Sequence, residues 1–400
     1  MTLGTDTSTW TYASITPEEG LAKALRHDAK EIIQIISDSG LRGRGGAGFA
    51  TGRKWEYCAA VENEKKYIIC NADEGEPGTF KDRVILTEFP DLVLEGMTIG
   101  ARAIGATHGF IYLRAEYLYL FHDLKEVIRK RRETGLLGDN ILGINGFNFD
   151  VDIRIGAGAY ICGEESALIE SIEGFRGEPR NRPPYPAEYG LGGLPTVVNN
   201  VETLAWVPCI FVNGIEWFRE VGTDESKGFK LYSVSGDVER PGVYELPMGI
   251  TIADLLEQVG GANAKAVQVG GASGRCVPAT EFEERLIAFE DMATGGSVIV
   301  IGPGRDMLMM VKDFLEFFVE ESCGQCTPCR EGNVKLLEGV HMLEKGKCSM
   351  RYLKELCRLG ETMQVASKCG LGQSSPNAFL SVVEHFKDEI MGRVNLVTEG

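Results

Sequence analysis

Between residues 66 and 175 the chain alternates between two textures. Short runs rich in β-branched and aromatic residues, KYIICNAD, GFIYLRAE and FDVDIRIGAG, alternate with longer segments, FPDLVLEGMTIGARAIGA, LYLFHDLKEVIRKRRETG and EESALIESIEG, whose pattern is helical. This alternation predicts βαβ units around a mostly parallel sheet. Two helices are predicted ahead of them. One opens at Thr16, with Pro17 at its first position and Glu19 closing a capping box; the other, AKEIIQIISDSG, stops at Gly40. Between Glu178 and Asn200 the pattern lapses into EPRNRPPYPAEYGLGGLPTVVNN, whose five prolines and three glycines predict one long irregular loop. From residue 229 four short strands, FKLYSVSGDV, GVYELPMG, AVQVGG and SVIVIGPG, surround one helix, TIADLLEQVGG, and after Asp306 only helical patterns remain. The expected organisation is an N-terminal helical segment (1–40), an α/β domain (41–228), a small α+β domain (229–305) and a helical domain (306–400).

Composition changes this picture in three respects. Glycine supplies 50 of 400 residues, well above the usual one in about fourteen, which asks for many tight turns or close backbone approaches. The net charge of −17 argues against a nucleic-acid partner. The one basic run, Arg129 to Arg132, reads as a helix C-terminus before Gly135. The opening MTLGTDTSTWTYAS lacks the basic and apolar regions of a secretory signal, and no apolar stretch reaches the roughly 18 residues of a membrane span. Eleven cysteines in such a chain point to metal or redox chemistry in the cytosol.

Cys323, Cys326 and Cys329 form a C-x2-C-x2-C run, the spacing by which three thiolates reach the corners of one iron–sulfur cluster. Zinc more often takes two separated C-x2-C pairs or adds histidines. The fourth ligand comes from downstream, among Cys348, Cys357 and Cys369. Cys369, in the glycine-containing loop SKCGLGQSSP, is favoured over the other two, which lie in helical context, and a helix starting near Arg330 would aim its free N–H groups at the cluster. Cys58, Cys70, Cys162, Cys209 and Cys276 read as buried thiols, with Cys162 near enough to the candidate site to tune it.

Three further stretches suit a nucleotide-like ligand. LRGRGGAGFATGRKW (41–55) carries five glycines and four cations, able to bring N–H groups against a phosphate, although it follows no clear strand and so fails the context of a dinucleotide fingerprint. CNADEGEPGTFKDR (70–83) follows a strand and presents carboxylates suited to ribityl or ribose hydroxyls. IGAGAYICGEESA (155–167) ends a strand in glycines and opens a helix with Glu164 and Glu165, which equally suits the helix dipole.

Taken together, GRGGAGFATGRKW, CNADEGEPGTFKDR, GAGAYICGEESALIESIEG, PTVVNNVETLA and ESCGQCTPCREG closely resemble the NADH-binding, FMN-containing subunit of respiratory complex I and its relatives in NAD-linked hydrogenases and formate dehydrogenases, over residues 30 to 390. The resemblance implies a Rossmann-like FMN/NADH domain, a ubiquitin-like β-grasp domain and a helical bundle with one [4Fe-4S] cluster on Cys323, Cys326, Cys329 and Cys369. It implies FMN contacts at Gly43, Arg44, Gly45, Lys54, Asn71, Asp73, Glu74, Tyr160, Gly163, Glu164, Asn199 and Asn200. NADH contacts are implied at Phe49, Glu76, Glu165 and Tyr185, the rings stacking on adenine, and no side chain is expected to act as acid or base on the hydride. Acidic residues at the site imply NAD rather than NADP. Ala50 departs from the proline of many relatives, leaving the loop less stiff. With no fused [2Fe-2S] or ferredoxin extension evident, a separate thioredoxin-like [2Fe-2S] subunit and further iron–sulfur and catalytic subunits are expected. Two other readings stand beside NADH oxidation: the same chemistry run as NAD+ reduction by formate or hydrogen, with or without bifurcation, and a zinc-stapled, noncatalytic scaffold.

Overall fold

The computed structural model describes residues 5–395, so the ends of the first and last expected domains, residues 1–4 and 396–400, lie outside the described residues. The chain begins with α1 (Glu19–Ala24), α2 (Ala29–Asp38) and α3 (Thr51–Ala60). Asp28 and Glu31 form the capping box of α2, and Gly40 leaves it with φ +71°. The box expected at Thr16 does not form. Glu18 sits at the cap of α1 with φ +75°, and the buried Glu95 carboxylate accepts from the Glu18 and Leu21 N–H groups at 2.6 and 3.0 Å. A carboxylate from a distant helix has replaced the local cap.

The parallel sheet consists of β1 (Tyr67–Ala72), β2 (His108–Leu113), β3 (Asp150–Ile155) and β4 (Thr196–Asn200), in the order β3-β2-β1-β4. The helices between and after them are α4 (Lys81–Glu88), α5 (Pro90–Ile104), α6 (Phe121–Glu133), α7 (Glu165–Ile172), α8 (Val201–Asn213) and α9 (Ile215–Arg219). The strand β4 corrects the expectation of one irregular loop to Asn200: TVVNN has three β-branched residues, all buried. Alternation sorts the side chains. Ile68, Cys70, Ile111 and Val197 join the large core with α5 and α8, whereas Ile69, Phe110, Tyr112 and Val198 join a second apolar cluster that reaches Phe318, Cys329 and Leu371. One face of the sheet is thus the main core and the other leads toward the cysteine run. The basic run folds onto its own unit: Arg129 pairs with Glu126 and Glu133, buried Arg131 with Asp91, and Arg132 with Asp150.

A second, mixed sheet follows: β5 (Phe229–Gly236), β6 (Gly242–Pro247), β8 (Ala266–Val269), β9 (Arg275–Pro278) and β11 (Ser297–Ile301), ordered β6-β5-β11-β8-β9 with only β5 and β11 parallel. The short β7 (Ile250–Thr251) and β10 (Leu286–Ile287) pair beside it, and α10 (Ile252–Val259) packs Leu255 and Val259 into its core. The strand RCVP adds to the expected four; its four residues carry no alternation that would mark it in the sequence. The last unit is helical: α11 (Met307–Glu321), α12 (Thr327–Glu344), α13 (Met350–Ala366), α14 (Gly370–Ser374), α15 (Asn377–His385) and α16 (Lys387–Met391). No helix among the described residues is long and apolar enough to cross a membrane.

Candidate functional site

The strand order changes direction between β1 and β4, and the crevice outside the carboxyl ends at such a switch point is where open α/β sheets place ligands. Asn71 and Asp73 leave β1 there, Asn199 and Asn200 end β4, and the glycine-rich loop folds across them. That loop closes on itself through Gly43 N–H to Phe49 O at 2.9 Å, with Gly48 at φ +65°. A Cβ on Gly45 would stand 3.0 Å from Asn200 Cβ, so glycine is what lets the loop lie against the crevice. Arg44 faces the other way. Its guanidinium is fully buried and donates to Lys227 O (2.6 Å) and Phe229 O (3.1 Å), while its carbonyl accepts from Lys230 Nζ at 2.7 Å. The residue staples the loop to the second sheet instead of offering a charge to the crevice.

Several acidic-loop residues are likewise spent on structure. Glu74 caps α4, accepting from Asp82 N–H (2.8 Å), Arg83 N–H (3.3 Å) and Tyr117 Oη (2.7 Å); burial and the nearby Asp82 push it up to about 7. Asn71 donates to Gly163 O at 2.8 Å and accepts from Asp73 N–H at 3.0 Å, bringing Gly163 to the end of β1. Asp73 Oδ2 is buried without a hydrogen-bond partner, and burial pushes this carboxyl up to about 7. An orphaned carboxylate oxygen beside Gly163 fits a ligand that brings hydroxyl donors, as the ribityl chain of FMN does. Glu76 accepts from Tyr160 Oη at 2.6 Å and from Ser273 Oγ at 2.7 Å.

At the other end of the crevice Glu164 caps α7, accepting from Ala167 N–H at 2.9 Å. Glu165 lies 2.9 Å from Lys54 Nζ and 3.2 Å from Arg182. Burial raises its pKa, but these two cations outweigh that and hold it below the ordinary carboxylate value. Lys54, in the first turn of α3, also donates to Val198 O at 3.1 Å, which ties the glycine loop to β4. Asn199 accepts from Trp55 Nε1 at 2.9 Å, and Asn200 donates to Asp82 Oδ2 at 2.6 Å while capping α8. Phe49 and Tyr185 are 47% and 53% exposed, and Lys54 Nζ stands 5.9 Å from the Phe49 ring centroid. Arg182 joins the site without having been singled out by its sequence context. Its guanidinium pairs with Glu164 and Glu165 and stands 5.9 Å from the Tyr185 ring centroid; the available signal is a cation shortly ahead of PYP in the proline-rich stretch.

The cysteines converge elsewhere. Cys323, Cys326, Cys329 and Cys369 line one pocket with Ile161, Pro179 and Leu371. Cys326 and Cys369 are the N-cap residues of α12 and α14, so two helix N-termini open beside the thiols. The helix α12 starts at Thr327 rather than near Arg330, with Pro328 in its first turn, and Cys369 lies, as expected, in a non-helical connection, the short one between α13 and α14. Cys348 lies in a two-residue strand within the core of the helical unit, and Cys357 on α13. Asn333 Nδ2 and Ser322 Oγ lie 3.4 and 3.3 Å from Cys329 Sγ. Among the described residues no group of three or more His, Cys, Asp or Glu is set close enough for a single metal ion. Four thiols lining one pocket suit a [4Fe-4S] cube, which takes one thiolate at each of four corners. Cys58, Cys70, Cys162, Cys209 and Cys276 are all buried free thiols.

Comparison with known proteins agrees with this geometry. The Nuo51 FMN-binding domain family matches residues 36–209, the SLBB domain residues 231–277, and the NADH-ubiquinone oxidoreductase-F iron-sulfur binding region residues 309–393. The chain is 43% identical over 400 residues to a NADH-quinone oxidoreductase subunit of Rhizobium meliloti, covering 96% of this chain and 94% of that one. It is 50% identical over 359 residues to NAD-reducing hydrogenase HoxS subunit alpha of Cupriavidus necator, covering 90% of this chain and 60% of that one. The crystal structure of a NAD+-reducing [NiFe]-hydrogenase in the H2-reduced state superposes with a TM-score of 0.89 at 44% identity, covering 96% of this chain but 66% of that one. The chain thus spans about two thirds or less of these two hydrogenase proteins. The zinc-scaffold reading is set aside by these matches.

Proposed function

Since the chain belongs to the family of FMN-binding, iron–sulfur NADH-quinone oxidoreductase subunits, we propose that it is the electron-entry subunit of a larger redox complex, passing electrons between NADH and an iron–sulfur chain. The observation that carries this is the pairing of two sites across one apolar cluster: Ile69, Tyr160 and Val198 on the crevice side pack in the same cluster as Ile161, Phe318, Cys329 and Leu371 on the cysteine side. FMN, when bound, turns a two-electron hydride into single electrons, and a [4Fe-4S] cluster takes them one at a time. Gly43, Gly45, Asn71, Asp73, Gly163, Asn199 and Asn200 would hold the flavin, with Asp73 accepting its hydroxyls. Lys54 fixes the glycine loop and Glu165 to each other, while Arg44, Glu74 and Glu164 hold the backbone that shapes the crevice. Phe49, Tyr185, Glu76 and Glu165 would receive the dinucleotide, and Arg182 at the Tyr185 ring is suited to its phosphates. Cys323, Cys326, Cys329 and Cys369 would ligate the cluster.

We read the second sheet as the ubiquitin-like β-grasp domain and the last six helices as the cluster-bearing bundle, with boundaries near residues 41, 229 and 306. A cytosolic location fits eleven free thiols, and the partner expected is a thioredoxin-like [2Fe-2S] subunit with further iron–sulfur subunits beyond it. The 50% identity to a NAD-reducing hydrogenase subunit favours a second reading, in which the physiological direction is NAD+ reduction. Glu165→Ala should lower NADH oxidation with ferricyanide as acceptor by at least about tenfold; an unchanged rate would overturn the site assignment. Nickel or molybdenum in the native complex decides between the two directions.

A further inference from the structure

Glu76 leaves β1 with the acidic loop, yet its hydrogen bonds run to distant segments. Tyr160 Oη and Ser273 Oγ donate to Oε2 at 2.6 and 2.7 Å, and the Ser273 main-chain N–H donates to Oε1 at 3.0 Å. Ser273 belongs to the turn between β8 and β9, and this contact is built in: Gly271 in the same turn has φ +65°, and a Cβ there would stand 2.6 Å from Glu76 Oε1 and 2.5 Å from Pro77 O. A carboxylate offers about four acceptor positions, and these three donors take most of them. A ribose diol, which brings two hydroxyls, can bond to Glu76 with both only by displacing one of these donors.

What would be displaced is connected to the cysteine side. The Ser273 carbonyl accepts from Asn377 Nδ2 on α15 at 2.9 Å. Ala272 is fully buried in the apolar cluster that holds Phe318, Cys329 and Leu371. Tyr160 donates its N–H to Glu321 on α11 at 2.8 Å and sets its ring edge-on to Phe317, centroids 5.1 Å apart. The helix α11 ends at Glu321, two residues ahead of Cys323.

We propose that Glu76 exchanges between the dinucleotide and the Ser273 turn, so that occupancy of the nucleotide site loosens residues 271–273 against α11 and α15 and is thereby reported to the cluster-bearing helices. The proposal rests on the reading of Glu76 as a dinucleotide contact. Ser273 is a positioning residue in this scheme, holding Glu76 away from the ligand until the ligand competes for it. Only part of the turn is buried, so the freed Ser273 donors pass to water, and the exchange stays within reach of a ligand hydroxyl.

The test is amide hydrogen exchange across residues 270–275 of the oxidised holoprotein, with and without NAD+, which transfers no hydride to an oxidised flavin. The expected result is faster exchange at the Ser273 amide, about tenfold for each 1.4 kcal/mol of lost protection. Ser273→Ala, with a competing donor removed and melting temperature checked, should bind NAD+ several-fold tighter by calorimetry. If NAD+ binds while exchange in the turn stays constant or slows, or if Ser273→Ala binds more weakly, the exchange is overturned. If calorimetry detects no NAD+ binding to the wild type, the dinucleotide reading falls, and the exchange with it.

Discussion

Around the crevice, polar and charged side chains are mostly tied to other groups of the protein: Lys54 with Glu165, Asn200 with Asp82, Arg44 with main-chain carbonyls, and Glu202 with Lys81 and Lys230 at 2.9 and 3.4 Å. Around the cysteine pocket the four thiols share their lining with Ile161, Pro179 and Leu371 and with Gln325 and Lys368, which bond to each other, and the polar atoms bonded to Cys329 Sγ are a serine hydroxyl and an asparagine amide. The difference follows from what each ligand supplies. An iron–sulfur cluster makes its own strong bonds and needs only thiolates at the right spacing. A flavin or dinucleotide is held by many weak bonds, so its site must be rigid beforehand, and here rigidity comes mostly from cross-links between segments more than 100 residues apart. Most side chains at the crevice therefore act on other protein groups, and Asp73 Oδ2 stands out as a buried carboxylate oxygen left free.

The sharpest way to break this comparison is to remove one thiol. Cys329→Ser should cut iron per chain to near zero while leaving FMN bound in full, as measured by iron and flavin assays on one sample. Joint loss of both would show that the two regions are not independent. Next in size is Glu202→Gln. Its carboxylate is fully buried among Lys81, Lys230 and Arg44, so removing its charge leaves cations without a counter-charge. Chemical denaturation should show about 3–5 kcal/mol of lost stability. Lys54→Ala should cost about tenfold in kcat/KM for NADH, since Glu165 then keeps only the Arg182 contact; steady-state rates with ferricyanide check this.

The smallest effect concerns Asp73. Burial raises its folded pKa to about 7 from the ordinary 3.8, so the folded chain without flavin keeps a proton that the unfolded chain has released. Stability of that form should fall as pH rises between these values and level off above 7. FMN hydroxyls prefer the ionised carboxylate, so FMN affinity should rise from pH 6 to pH 8, by at most about tenfold per unit below the folded pKa. Asp73→Asn should remove that dependence in a fluorescence-quenching titration.

Legibility in the sequence follows the same division. The cluster is encoded in seven consecutive residues plus Cys369, and a local pattern is what a window of sequence can carry. The parallel strands β1 to β3 are legible for the same reason. The strand β4 is lost in a proline-rich stretch because its five residues are defined by pairing with β1 and not by their own periodicity. At Thr16 a local capping signal loses to Glu95, a tertiary partner that no window of sequence contains. At the crevice the motifs mark the right segments, but residue type does not tell role: Arg44 and Glu74 have the chemistry of ligand contacts and the partners of structural staples. Arg182 escapes a sequence reading because its function depends on Glu164, Glu165 and Tyr185 being folded around it.

The most direct test of the account is anaerobic addition of NADH to the isolated, FMN- and cluster-loaded chain, followed by visible absorbance and electron paramagnetic resonance. The account predicts that the flavin band near roughly 450 nm is lost and that a reduced-cluster resonance appears in the same sample. A folded, fully loaded chain whose flavin band is unchanged by NADH would contradict it.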